Sequence, residues 1–157
     1  MSTNKNSQTE VNRHNNTRLN TVARRVLLGI CWFNGILAPI FGLLMIIFPD
    51  GEMLMMQSLL AGMQTWPGAD IFFQNLVWPG IALLCVNGIS NIVCLTLWRK
   101  KHQAYTVIGI ICGTLLIAWC TWEMIFIFNG VTVFYMILGI IQTTAAAYYT
   151  AIRKNVS

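Results

Sequence analysis

The chain has 157 residues, of which 56% are hydrophobic and only 10% charged, and its mean hydropathy is +0.62. A soluble domain carries roughly a quarter charged residues, so this composition excludes an ordinary water-soluble enzyme and points to a membrane protein. The net charge of +5 would suit a nucleic-acid binder, but all ten Lys and Arg residues fall outside the long apolar runs, and that distribution excludes the class.

Residues 1–22 are rich in Asn, Thr and Ser. Such a segment has too little apolar surface to bury, which predicts a disordered basic cytoplasmic tail. A signal peptide fits poorly, because the first apolar run starts only at Val26, is too long for an h-region and has no small-x-small cleavage site. Four apolar runs, at about 26–48, 78–97, 104–128 and 131–152, reach the roughly 20 residues that a helix needs to cross a bilayer. Pro39 lies within the first and is expected to bend it.

Residues 49–77 form the one sizeable connection. "PDG" at Pro49 to Gly51 is a turn signal. In "EMLMMQSLLAGM" the apolar Met53, Leu54, Met56, Leu60 and Met63 stand at mostly helical spacing. Too short to span, this run is expected to lie as a short helix in the outer interface. Trp-Pro-Gly then occurs twice. The first copy, Trp66 to Gly68, ends the interfacial helix. The second, Trp78 to Gly80, opens the next span, since proline is tolerated in a helix's first turn. Residues 69–77 either extend that span outward or dip back into the membrane. Trp78 and Trp98 stand roughly 30 Å apart along a helix, a pair suited to the two headgroup layers.

Lys5, Arg13, Arg18, Arg24 and Arg25 precede the first span; Arg99, Lys100 and Lys101 separate the second from the third; Arg153 and Lys154 follow the fourth. The other two connections carry Asp50, Glu52 and Asp70 and no Lys or Arg. By the positive-inside rule both termini face the cytoplasm. The expected fold is therefore all-α: a four-transmembrane-helix bundle, N-in and C-in, formed by residues 23–153, with the short interfacial helix between helices 1 and 2.

Polar residues within spans are costly in lipid and are functional candidates. They are Asn34, Asn87, Asn91, Gln142 and Glu123, with several Thr. Counted from the nearest cytoplasmic charge, Asn34, Asn91 and Gln142 lie about 13, 12 and 16 Å deep, so the three are expected to share one layer. Asn87 shares a helix face with Asn91, one turn further out. Such amides commonly bond between helices, for about 0.6 kcal/mol each; the sharper reading is a small polar cavity. Glu123, the one ionisable residue well inside an apolar run, lies about 33 Å from Lys101 along its helix, near the outer edge of the hydrocarbon. Trp119 precedes it by one turn and Trp122 is its neighbour. With Trp66, Trp78 and Asp70 on the same side, these residues suggest an outward-opening pocket of aromatics around one acid. The competing reading is an interfacial acid satisfied by a backbone group or by Asn129.

Cys31, Cys85, Cys94, Cys112 and Cys120 all lie in spans and form no CxxC, which argues against thiol-disulfide chemistry. His14 and His102 are outside the spans, leaving no intramembrane ligand for haem and no zinc cluster. There is no phosphate loop or nucleophile elbow, and no cofactor is expected. Small residues repeat every four positions at Gly139, Thr143, Ala147 and Ala151; Gly109 with Gly113 and Ala38 with Gly42 continue the theme. Such stripes allow close helix approach, within one chain or between copies.

With a second span opening on "WPG" and followed by Asn87, the Trp-x-x-x-Glu of Trp119 to Glu123, and "FYMILG" opening the fourth span, the chain resembles small, uncharacterised bacterial four-helix integral membrane proteins. It is similar in layout to DoxX-like proteins. The resemblance spans residues 26–152 and implies the topology and a bacterial plasma membrane, with no activity. The small multidrug exporters, whose essential acid is in the first helix, and the tetraspanins, with their CCG signature, fit worse. The expected role is non-enzymatic, binding membrane lipid, a protein partner or further copies of the chain. The alternative is a small oligomeric carrier or small-molecule-binding protein that uses Glu123 and the amide layer. A lipid- or quinone-modifying enzyme with Glu123 as acid or base has least support.

Overall fold

The computed structural model describes the backbone of residues 3–126, 128 and 130–154, and the side chains of residues 17–125, 128 and 130–152. Its elements are α1 (Thr3–Ile47), α2 (Gln57–Met63), α3 (Ala69–Phe72), α4 (Val77–Ala82), a π-helical turn (Leu83–Ile89), α5 (Ser90–Arg99), α6 (Tyr105–Phe126) and α7 (Gly130–Lys154). No strand occurs among the described residues. α4, the π turn and α5 run on as one helix, so four segments are long and apolar enough to cross a membrane: Thr17–Ile47, Val77–Arg99, Tyr105–Ile125 and Gly130–Ile152.

The burial pattern is that of a protein whose solvent is apolar. On α1, Ile36, Ile40 and Leu43 are about half exposed while Asn34, close by on the same helix, is 1% exposed; on α7, Ile137 and Ile140 face outward and Gln142 is fully buried. In water this arrangement would forfeit the burial energy that holds a helical bundle together. In lipid every lateral face is apolar, and the amides turn inward to find partners.

The first helix begins at Thr3, where the polar composition predicts a disordered tail through residue 22. The physical reason is that no Gly or Pro precedes Gly29. Once the apolar span has formed a helix, extending it costs no new nucleation, and a polar segment without a breaker can join it.

Around the bundle, α1 packs against both the second long helix and α7, and α6 packs against both α5 and α7. The four helices thus close a ring. Two glycine pairs bring the backbones of neighbouring helices close together. A Cβ on Gly42 would meet the Gly80 carbonyl at 2.8 Å, and a Cβ on Gly139 would lie 3.0 Å from the Gly113 carbonyl. The stripe expected on the fourth helix holds only at its upper half. Gly139 is buried, but Ala147 and Ala151 are exposed, and Gln142 and Ala146 occupy the inner face instead. A four-residue step overshoots a helical turn by roughly 40°, so such a stripe rotates away from any fixed neighbour.

Residues 49–76 form a closed loop at one end of the ring, with Leu76 N–H donating to the Pro49 carbonyl at 2.9 Å. The helix expected from residue 52 starts at Gln57, because residues 51–56 wind through turns with Gly51 and Met55 in the left-handed region. The two Trp-Pro-Gly copies do different work. In the first, Ala69 N–H donates to the Trp66 carbonyl at 3.0 Å, and Gly68 takes φ +91°, so Pro67 and Gly68 are the central residues of a type II turn. In the second, Trp78 and Pro79 sit in the first turn of α4, where a missing N–H costs nothing. Residues 69–76 do not continue that helix outward. They form the single turn of α3 and a bend, after which Asn75 Oδ1 accepts from Val77 N–H at 3.0 Å to start α4.

Candidate functional site

All four long helices and the loop enclose one cavity of about 370 Å³. α1 contributes Asn34, Ala38, Phe41 and Met45, successive positions on one helical face. The second long helix contributes Leu83 and Asn87, and α6 contributes Leu116, Trp119, Cys120 and Glu123. Val131, Thr132 and Tyr135 come from the start of α7. The loop end is covered by Leu54, Met55, Met56, Ser58, Leu59 and Met63. Methionine suits a cover of this kind, since its unbranched side chain repacks easily around irregular shapes.

Asn87 reaches the cavity from the π turn. One additional residue in a turn rotates the next turns of the helix by about 100° relative to an unbroken α-helix. Asn87, within the π turn, lines the cavity, while Asn91, four residues on in α5, bonds Gln142, and both are buried. Opposite the turn lies Pro39, which lacks an N–H for the α1 ladder. The two irregular stretches pack on each other, for a Cβ on Gly88 would stand 2.8 Å from Pro39 Cγ.

The five intramembrane polar residues divide into two groups. Gln142 Nε2 donates to Asn91 Oδ1 at 2.9 Å, and Asn91 Nδ2 donates to the Asn87 backbone carbonyl at 2.7 Å. Gln142 Nε2 also approaches Cys31 Sγ at 3.5 Å, which itself lies 3.5 Å from Cys94 Sγ. This is an interhelical clamp, and it lies outside the cavity lining. Asn34 and Asn87 line the cavity, and three of their buried side-chain atoms meet no protein group: Nδ2 of Asn34 and both Oδ1 and Nδ2 of Asn87; in the clamp Gln142 Oε1 is likewise unmet. Asn34 and Asn87 are at most 2% exposed. An unmet buried amide atom costs about 1–3 kcal/mol.

At the loop end of the cavity, Glu123 is half-buried and accepts from Thr132 Oγ1 at 3.2 Å, a bond that ties α6 to α7. No Lys, Arg or His lines the cavity among the described residues. Nor does the sequence supply one nearby, since residues 26–98 and 103–152 contain none.

Of the seven residues singled out in the sequence, the fold brings Glu123, Trp119, Asn34 and Asn87 to one cavity and leaves Asn91 and Gln142 in the clamp. Trp122 faces away from the cavity. It packs on Trp66 at 5.9 Å and Phe73 at 5.5 Å between ring centroids, with Trp119 at 5.3 Å, in an aromatic cluster over the buried Leu59 and Met63. Trp78 pairs with Phe72 at 5.9 Å, and Asp70 is exposed, so neither belongs to the cavity wall. The loop end of the cavity is bordered by the methionine segment and not by Trp66, Trp78 or Trp122. Asn129 lies outside the described residues. Sequence reasoning missed Thr132 and Tyr135 and the methionine cover. Thr132 and Tyr135 sit nine and twelve residues after Glu123, just past the short connection between α6 and α7, and that short spacing was the available signal.

No protein-family model, curated protein or solved structure matches this chain. Chemically, the arrangement offers an apolar chamber with a hydrogen-bonding acid at one end and two incompletely satisfied amides at the other. Among the described residues no group of three or more His, Cys, Asp or Glu could hold a metal ion.

Proposed function

We propose that this is a multi-pass membrane protein that binds a small molecule between its four helices, with Glu123 holding one end of the ligand and Asn34 and Asn87 the other. The observation that carries the reading is three unmet, buried amide atoms on Asn34 and Asn87, two residues that line the same cavity as the chain's one acid within an apolar span. Three unmet amide atoms are a large penalty for a small bundle, and it is removed when a ligand supplies the missing partners. The cavity volume lies within the range of ligand sites, about 300–1,000 Å³, and its wall is mostly apolar with a few polar groups. The reading is of binding and not of catalysis, since the neighbour of Glu123 is the hydroxyl of Thr132 and not a second acid or a histidine.

The charge distribution supports an orientation with both termini in the cytoplasm and residues 49–76 outside. With the DoxX-like layout it favours a bacterial plasma membrane. In this orientation Glu123 lies toward the outer face, and the loop lies in or above the outer interface.

The reading is tested by thermal unfolding of the protein in phosphatidylcholine nanodiscs, titrated with decanol as an apolar probe bearing one hydroxyl. A ligand of the folded state raises the melting temperature in a saturable way. The wild type is expected to show that rise, and Ala38→Trp, which fills the cavity from α1, to abolish it. An equal rise in both proteins would mean that decanol acts through the lipid and would remove the support for a cavity ligand.

A further inference from the structure

Resting on the cavity-binding reading, we infer that the ligand is a monovalent organic cation with a short apolar body, its charged nitrogen held at Glu123 and its far end hydrogen-bonded by Asn34 and Asn87. Three observations lead there. The first is charge. Glu123 is the one ionisable carboxylate on the cavity wall, and no basic side chain of the described protein stands beside it. A carboxylate removed from water is stabilised chiefly by a paired cation, so a cationic ligand supplies what the fold omits. An anionic ligand would place like charges together in an apolar chamber. A neutral one could bind only the protonated acid.

The second observation is the wall. Trp119 and Tyr135 line the same cavity as Glu123, and aromatic faces attract organic cations most strongly where water is excluded. Acid and aromatics together discriminate an ammonium group from a hydroxyl of equal size. The third is size and access. A volume of about 370 Å³ is near the lower end for ligand sites, which suits one short chain and excludes a two-tailed lipid. Met55 and Val131 line the cavity yet are 91% and 65% exposed, so they stand at its rim. That rim is apolar, and a cation with an apolar body can pass it with a hydrogen-bonding far end leading toward Asn34 and Asn87.

The test is isothermal titration of the full chain in phosphatidylcholine nanodiscs, which carry no net surface charge, with octyltrimethylammonium, decanol and octyl sulfate. The cation is expected to bind saturably and octyl sulfate not at all. Loss of a charge-assisted contact predicts about tenfold weaker cation binding by Glu123→Gln, with decanol changed less than about twofold. Trp119→Leu is expected to reproduce the same selectivity more weakly, and it keeps the proposal testable if Glu123→Gln fails to fold. Equal cation affinity in wild type, Glu123→Gln and Trp119→Leu would overturn the cation assignment while decanol binding left the cavity reading intact. If Ala38→Trp or the smaller Ala38→Phe, correctly folded, left the binding of both probes unchanged, the cavity reading itself would fall, and this inference with it.

Discussion

Pro39 and Gly88 meet across the first and second long helices, with no room between them for a side chain: a Cβ on Gly88 would stand 2.8 Å from Pro39 Cγ and 3.3 Å from Pro39 N. The contact matters because Asn87, the neighbour of Gly88, presents its amide to the cavity from the π turn. A proline that weakens one ladder and a π turn that distorts the other are each costly in isolation. Packed together, they fix a single register of helix 2 on helix 1.

Gly88→Ala is therefore expected to destabilise the protein by about 1–3 kcal/mol, the usual range for an overpacked core. Pairing it with Pro39→Ala should recover part of that loss, because the obstructing ring is then gone. Chemical unfolding of the single and double variants in detergent checks both statements. Equal instability of single and double variants would mean that the ring is not what Gly88 accommodates.

The two cavity amides should trade stability for binding. Asn87→Leu removes two unmet polar atoms from an apolar site, so the ligand-free protein is expected to gain about 1–3 kcal/mol. The same substitution should weaken any ligand that bonds there. A loss of stability in Asn87→Leu, measured by thermal unfolding without added probe, would show that the amide already has a structural partner.

Asn91 and Gln142 should behave in the opposite way, since their side chains are bonded to each other. Gln142→Ala and Asn91→Ala are each expected to destabilise. A double-mutant cycle should return a coupling of about 0.6 kcal/mol, the average for interhelical hydrogen bonds in membranes. Probe binding should survive, because neither residue lines the cavity.

Gly113 and Gly29 offer a matched contrast. A Cβ on Gly113 would lie 2.8 Å from Thr143 N and 2.9 Å from the Gly139 carbonyl, whereas one on Gly29 would meet nothing within 4 Å. Gly113→Leu is expected to separate α6 from α7 and lower the melting temperature by many degrees. Gly29→Leu should leave it near the wild-type value. Similar effects from the two substitutions would contradict the packing described for the third and fourth long helices.

The four apolar spans were legible in the sequence because length and hydropathy alone define a membrane-crossing helix. Glu123, Asn34 and Asn87 were legible as candidates because polar groups are rare in such helices, and Trp119 because it stands one helical turn before Glu123. Their division into clamp and cavity was not. It depends on a π turn, and the residues Leu83–Ile89 carry no local signal that separates π from α winding. Depth counting put Asn34, Asn91 and Gln142 in one layer, but depth does not fix azimuth, and Asn34 turned to the cavity. Trp122 failed for a related reason. One residue from Glu123 is a rotation of about 100°, enough to send its ring to Trp66 and Phe73. The helical tail was hidden because composition reports what a segment can bury, not whether an adjoining helix can extend through it.

The central claim is that Glu123 faces a ligand, and infrared difference spectroscopy of its carboxyl band tests it most directly. Spectra of the protein in nanodiscs would be recorded with and without saturating octyltrimethylammonium, with Glu123→Gln as the assignment control. Binding is expected to move a carboxyl band that is absent from the Glu123→Gln difference spectrum. Saturable binding of the probe with the Glu123 band unmoved would contradict the claim.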